Sequence, residues 1–488
     1  MPQRPGFYLC LFALAPGPLV PCPPDDSVPN LDVTYRMYDK HGLLTAPIGR
    51  VLLRMSLPNL LGVLSLLFYH LTDTFFISRL GTEPLAAISM TFPVTLVVSS
   101  IALGMGAGMS AHMGRLLGQG DLPQARSFLT HGLLLAMLIV VVIALAGALT
   151  IRPLFALMGA EPAMLEMICD YMLVWYLGIG LLVLPMVGNQ ALRATGNTRT
   201  PAIVTAVAAL VNAVLDPLFI FGIGPFPRME MQGAAIATVL SWLITFVVAA
   251  WMLGWRYRLI AAPCQRLLEH WRRLLHIARP AAISNLLNPL ANGLILAILA
   301  RIDTQAVAAF GAGTRIEALM LVGVTALCGS LMPFIAQNLG AGQYLRAKEA
   351  LMGSIRFVIV LQLGLYLLIW PWLGEIAAIF SQDLTVQGYL IWYLQVLPLA
   401  YGPLGVVILF VLALNAYHRP MTALSLNAVR LFLMLIPMTM VGAWAFGVKG
   451  AFIGVAMANL MMGAACYHLA TRVCEPDSLT EAHSSPLD

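Results

Sequence analysis

Charge is what this sequence has least of. Asp, Glu, Lys and Arg make up 10% of its 488 residues, against about 25% in an average soluble protein. With 60% of the chain hydrophobic and a mean hydropathy of +0.86, there is more apolar surface than one or two water-soluble cores can hide, so lipid must be the solvent for most of it. That excludes a soluble enzyme. Signatures of soluble catalysis are also missing: there is no GxxxxGK(S/T), HExxH or GxSxG, and no GxGxxG opening a strand-to-helix unit. ATP-driven work by this chain alone is therefore not expected, no cofactor is implied, and an ion gradient is left as the source of energy. The seven cysteines, at 10, 22, 169, 264, 328, 466 and 474, form no CxxC or Cys/His spacing, so neither a metal centre nor a disulfide framework is expected. Period-2 alternation is absent as well, which argues against a transmembrane β-barrel.

What the chain does have is long uncharged runs. Residues 127–151, 280–300 and 450–471 carry no Asp, Glu, Lys or Arg, and each is long enough to cross a bilayer at about 20 residues per span. Reading apolar runs between charged or Gly/Pro-marked turns gives twelve helices: 53–78, 84–112, 126–150, 163–188, 200–222, 232–254, 277–300, 306–333, 349–373, 386–413, 419–443 and 449–472. The expected fold is all-α and integral to the membrane. Residues 1–50 are read as an N-terminal extension without fixed structure, whose apolar run 7–15 is too short to span, or as partly untranslated with a start at Met37. Residues 51–255 form a first lobe, 256–276 an inter-lobe loop within a charged stretch, Arg256 to Arg279, that carries six arginines, 277–472 a second lobe and 473–488 a tail.

Most Lys and Arg fall in the N-terminal tail and in alternate connections, while Arg79, Arg152, Arg228, Arg301 and Lys449 fall in the others. The positive-inside rule then places both termini in the cytoplasm. The net charge of +5 is explained by this orientation and implies no nucleic-acid partner. The halves are also related: GRLLGQGDLPQARSFL at 114–129 aligns without gaps to AQNLGAGQYLRAKEAL at 336–351, an offset of 222, which also pairs Pro58 with Pro280 and Arg79 with Arg301. Two six-helix lobes that start on the same side are related by a pseudo-two-fold axis along the membrane normal, with a cavity between them that suits alternating access.

An ionised carboxylate inside a span is costly, so intramembrane acids are functional candidates. In the first half these are Asp73, late in the first helix, and Asp216 in the fifth; Glu166 and Asp170 lie nearer the outer end of the fourth. Asn212 and Asp216 are four apart and share a helical face, and Pro217 leaves the Ala213 carbonyl without its usual donor. Such oxygen-rich spots suit a proton or a hard cation. The plainer alternatives are an interfacial acid for Asp73 and a structural hydrogen-bonder for Asp216. His70, three residues before Asp73, can either touch it or simply pack. In the second half Arg315, Glu317 and Arg430 are read as buried, with Glu317 and Arg430 in a structural ion pair across helices. The 26 Met residues suit either a cavity for many ligand shapes or ordinary gap filling. Pro58 can kink the first helix.

In its motifs the chain resembles the multidrug and toxic compound extrusion (MATE) transporters across about residues 50–472. The resemblance rests on PLAAIS at 84–89, GRLLGQGD at 114–121, QALRATGNTRTP at 190–201, NAVLDPLFIFG at 212–222, QGAAIAT at 232–238, TRIEAL at 314–319 and AQNLGAGQ at 336–343, in the family's order. Within the family it is similar to the bacterial subgroup named for DNA-damage-inducible members. That resemblance implies a cation site at Asp73, Asn212 and Asp216, with Thr238 as a further ligand, Tyr171 as a neighbouring network residue and Pro58 as the bending proline. The other bacterial branch has key acids in the seventh helix, where this chain has Asn285, Asn288 and Asn292 and no carboxylate.

The implied activity is efflux of cationic or amphiphilic drugs in exchange for H⁺, or for Na⁺ bound at Asp73, Asn212, Asp216 and Thr238, by a monomer in the bacterial inner membrane. A lipid-linked precursor or polysaccharide flippase of a related fold is the alternative. A membrane-embedded enzyme is disfavoured by the scattered histidines.

Overall fold

The computed structural model describes residues 42–261 and 266–473. Among the described residues, twelve helices run antiparallel in chain order. α1 is Ile48–Ser78, α2 Thr82–Gly118, α3 Leu122–Leu157, α4 Pro162–Ala194, α5 Arg199–Phe221 and α6 Glu230–Trp251, the last prolonged by a π turn, Met252–Arg256. α7 is Leu267–Ala300, and α8 consists of Thr304–Met320 and Val322–Gly340 joined at Leu321. α9 runs from Tyr344–Ile369 through a 3₁₀ turn into Leu373–Phe380, and α10 from Leu384–Val396 through another into Tyr401–Ala416. α11 opens as Pro420–Ala428, passes through a π turn, Val429–Leu435, and enters the helix Ile436–Val473, which breaks at Phe446 and Gly447 to leave α12 beyond.

Carboxylate caps start several helices where a sharp turn is needed: Asp121 accepts from the Gln124 amide at 3.0 Å and Asp303 from the Gln305 amide at 2.9 Å. At the α4–α5 corner, Gly196 takes a φ of +86°, Asn197 accepts from the Thr200 amide at 3.1 Å, and Thr198 donates to the Met55 carbonyl at 2.9 Å. The GNTRTP run is thus a turn that ties the fifth helix to the first. Leu149, Leu157 and Leu177 are among the most exposed side chains, as they must be where the outer surface meets lipid.

The two lobes meet in a reciprocal way. A Cβ at Gly118 would stand 2.0 Å from the carbonyl oxygen of Gln337, and one at Gly340 would stand 2.1 Å from that of Arg115. Since 118 and 340, and 115 and 337, are both related by the 222-residue offset, this is the self-complementary contact of a two-fold axis. The cores repeat the pattern: Val51, Leu52 and Met55 of α1 pack into the apolar cluster of the second lobe, and Leu274 and Ala278 of α7 pack into that of the first.

These contacts lie at the end of the bundle that carries the basic connections. The same holds for the hydrogen bonds between lobes among the described residues, where Asn59 donates to Ser330 at 2.9 Å and to the Ala326 carbonyl at 3.3 Å, and Gln337 donates to the Ala194 carbonyl at 2.5 Å. His112 of α2 and His418, before α11, meet across the junction at 4.5 Å between ring centroids, their planes tilted by 45°. The lobes are closed at the basic end.

Three expectations change. The inter-lobe loop expected over 256–276 ends at Arg266, because His270, Leu274 and Ile277 form a buried helical stripe whose solvent side holds the Glu269–Arg273 pair at 2.5 Å; the charges belong to an amphipathic helix. The extension expected over 1–50 is ordered from residue 42, with Leu43 buried and the carbonyls of Leu43 and Ala46 accepting from Arg346. The rest of that extension, Met37, most of the tail and Cys10, Cys22, Cys264 and Cys474 lie outside the described residues; Cys169, Cys328 and Cys466 are free thiols. Finally, Arg315 is exposed.

Candidate cation-coupling site

Four helices of the first lobe converge on one polar cluster. α1 brings Tyr69 and Asp73, one turn apart on one face; α4 brings Tyr171; α5 brings Asn212 and Asp216; α6 brings Thr238 and Ser241. α5 packs against both α1 and α6, and α6 against α4, so residues that are 143 apart in sequence, Asp73 and Asp216, share one neighbourhood. Asn212, Asp216 and Ser241 are 0% exposed, Thr238 3% and Tyr171 5%.

The Asn212 amide donates to Asp216 Oδ1 at 3.0 Å, as their four-residue spacing allows. Four other atoms of the cluster have no protein partner: Asp216 Oδ2, Asn212 Oδ1, Asp73 Oδ1 and the Tyr69 hydroxyl are all buried without a hydrogen bond. Tyr69 lies beside Thr238 and Ser241 without completing a bond to either, and Ser241 donates instead to the Thr238 carbonyl at 2.7 Å. Buried polar atoms are normally paired, and two carboxylates that share a dry site repel unless a cation stands between or on them. The donor set is oxygen throughout, which suits a proton or a hard monovalent cation.

The cluster thus brings Asp73, Asn212, Asp216, Thr238 and Tyr171 together. Sequence reasoning missed Tyr69 and Ser241, although their spacing from Asp73 and Thr238, four and three residues, was a readable signal. His70 is turned away, its ring edge-on to Tyr69 at 5.6 Å. Pro58 lies within α1, which continues through it as a helix. Glu166 pairs with Arg152 at 2.9 Å on the exposed surface, and Asp170 is exposed.

In the second lobe the expected ion pair does not form. Glu317 accepts from the Tyr393 hydroxyl at 3.1 Å, whereas Arg430 donates to Asn288, Asn427 and Asn459. Three amide oxygens surround the guanidinium and keep the carboxylate out of contact.

Comparison with known proteins agrees with this architecture. The family described as MatE matches the chain twice, over residues 58–218 and 280–441, copies that begin 222 residues apart. A protein of Shewanella oneidensis named "FAD transporter" is 55% identical over 449 residues, covering 91% of this chain and 99% of that protein. A multidrug export protein, MepA, of Staphylococcus aureus is 24% identical over 416 residues, covering 83% and 89%. A solved structure of the Vibrio cholerae MATE transporter VcmN in the bent form superposes with a TM-score of 0.83 at 30% identity, covering 92% of this chain and 99% of that one. The chain belongs to the MatE family: it is a multi-pass membrane transporter and not an enzyme.

Proposed function

Taking the chain as a MATE-family transporter, we propose that it exports FAD, or a flavin nucleotide of that kind, in exchange for a cation held at Asp73 and Asp216. The observation that carries the exchange is the buried cluster of unpartnered oxygens on four helices. The cargo is supported by the 55% identical relative named for FAD, matched over nearly its whole length.

The basic end of the bundle faces the cytoplasm in this reading, with both termini there and the membrane being the bacterial inner one; the lobes are then closed inside. An external proton, or Na⁺, enters the cluster and neutralises a carboxylate. Asp73 acts as the protonation switch, Asp216 as the second carboxylate, Asn212 and Thr238 as neutral ligands, and Tyr171 as a hydrogen-bonding wall. Pro58, whose missing amide leaves the Arg54 carbonyl free, is the place where α1 bends as Asp73 moves. The cation must favour one conformation over the other, because equal affinity for both shifts nothing. The carboxyl cluster resembles that of the DNA-damage-inducible subgroup, and the protein works as a monomer.

A second reading, efflux of cationic amphiphilic drugs, is favoured by the relatives named for multidrug export and by the acidic first lobe. The test is transport in proteoliposomes under a pH gradient and a Na⁺ gradient applied separately, with FAD and ethidium as cargo and Asp73→Asn in parallel. FAD movement driven by either gradient and lost in the variant supports the proposal and names the ion. Ethidium movement without FAD movement selects the drug reading. Movement of neither sends the question to lipid-linked substrates.

A further inference from the structure

The polar motif of α5 is echoed in α11 with its sign reversed. Asn212-Ala213-Val214 leads to Asp216, and Asn427-Ala428-Val429 leads to Arg430. In α5 the asparagine donates to the acid; in α11 it accepts from the base, Arg430 Nε and Nη2 each reaching Asn427 Oδ1 at 3.3 Å. Two more asparagines complete the cradle, with Nη1 donating to Asn459 Oδ1 of α12 at 3.3 Å and Nη2 to Asn288 Oδ1 of α7 at 2.7 Å. Asn427 is itself held by Ser284, donating to its carbonyl at 3.0 Å and its hydroxyl at 2.9 Å.

The guanidinium is thus oriented from three helices, yet its charge is uncancelled. Glu317 is the nearest carboxylate in electrostatic reach, but its partner is Tyr393, and no ion pair among the described residues includes Arg430. Neutral amide oxygens satisfy hydrogen bonds without neutralising a charge in a low-dielectric site. The helix also departs from regularity at this point: α11 is a π turn over Val429–Leu435, and π turns within helices recur at functional sites.

The cradle lies along α7 from the contact between the lobes. α7 touches α2 where Ala278 and Ala282 meet Gly104; Asn288 lies six residues beyond Ala282, about 9 Å along the helix, and is only partly buried. Arg430, 8% exposed, is therefore one amide behind the wall. On α8, Arg315 is exposed. The second lobe thus buries a cation where the first buries the carboxylates Asp73 and Asp216.

We propose that Arg430 is the specificity residue of the second lobe: it draws a phosphate-bearing cargo into the cleft, the phosphate oxygen replacing Asn288 on the guanidinium. An arginine fork matches phosphate geometry in a way that a point charge does not. The inference rests on the reading of the cargo as a flavin nucleotide.

The test compares wild type, Arg430→Gln and Arg430→Lys in proteoliposomes with FAD, FMN and riboflavin, which share a ring system and differ in phosphate. Arg430→Gln raises the KM for FAD and FMN about tenfold or more, as expected for loss of a charged hydrogen bond, and leaves the rate measured for riboflavin, which has no phosphate, unchanged; Arg430→Lys recovers part of the loss. An unchanged FAD KM, or equal losses for all three cargoes, overturns the proposal, the second outcome making Arg430 a prop between helices. Since the variants can fail to fold, competition on the wild type runs alongside: ADP, which shares the diphosphate, inhibits FAD export, and adenosine does not. Equal inhibition by both, or by neither, overturns it. A wild type that moves no FAD sinks the reading of the cargo and this inference with it, a result distinct from an FAD-active protein indifferent to residue 430.

Discussion

The side-chain amide of Asn212 donates to Asp216 at 3.0 Å and leaves the other oxygen of each residue buried and unpartnered. One hydrogen bond therefore orients the acid while keeping one oxygen of each residue free. Replacing Asn212 with Ala removes the orienting donor, a loss of about 1.5–3 kcal/mol for a hydrogen bond to a charged group. The expected outcome is coupling-ion affinity weakened by about tenfold to a hundredfold, read from the pH or Na⁺ dependence of transport, with the amount of folded protein unchanged.

Under the proposed exchange, Asp73 and Asp216 cannot be replaced by neutral isosteres. Asp73→Asn and Asp216→Asn each keep the shape of the cluster and remove a charge, so both should abolish gradient-driven export while leaving cargo binding measurable. A variant at either position that still concentrates cargo against its gradient would remove that acid from the coupling site.

Gly118 and Gly340 set the closed end. A valine at Gly118 would drive its Cβ into the Gln337 carbonyl, a backbone atom that cannot swing aside, and overpacking of this kind costs about 1–3 kcal/mol. The penalty falls only on the closed state, so Gly118→Val should shift the population toward opening at the basic end. A cysteine placed at Ser330 should then label faster with a membrane-impermeant thiol reagent from that side, and Gly340→Val should act in the same direction.

His418 links stability to pH. It sits between α10 and α11, outside the spans, with its Nε2 buried and unpartnered, and burial together with His112, Arg115, His276 and Arg273 holds its pKa well below the ordinary 6.5. The unfolded chain therefore binds the proton more readily than the folded one, so stability rises with pH. The contribution is complete above the ordinary histidine value and is lost as pH falls below it toward the lower folded value. The melting temperature in detergent should drop on acidification from neutral pH, and His418→Gln should flatten that slope; an equal slope in the variant would assign it elsewhere.

Arg152 and Glu166 provide the contrast. Their 2.9 Å bridge is more than half exposed on both sides, and such pairs contribute about 0–1 kcal/mol. Arg152→Ala should leave transport and melting temperature essentially unchanged.

Much of this was legible in the chain itself because it depends on local pattern. Apolar runs long enough to span, the 222-residue repeat and the i, i+4 spacing of Asn212 and Asp216 are properties of neighbouring residues, and they determined the membrane class, the twelve helices, the two-lobe symmetry and the acid pair. The chemistry of the second lobe was not local. Charge alone paired Arg430 with Glu317, but helix packing placed Asn288, Asn427 and Asn459 around the guanidinium and Tyr393 on the carboxylate. Likewise the arginines of 256–276 read as a loop, and only the burial of His270 and Leu274 against the first lobe, and of Ile277 beside them, made residues 267 onward a helix. The sequence by itself determined which residues are costly to bury; the tertiary structure decided which partners offset that cost, because those partners come from helices far apart in the chain.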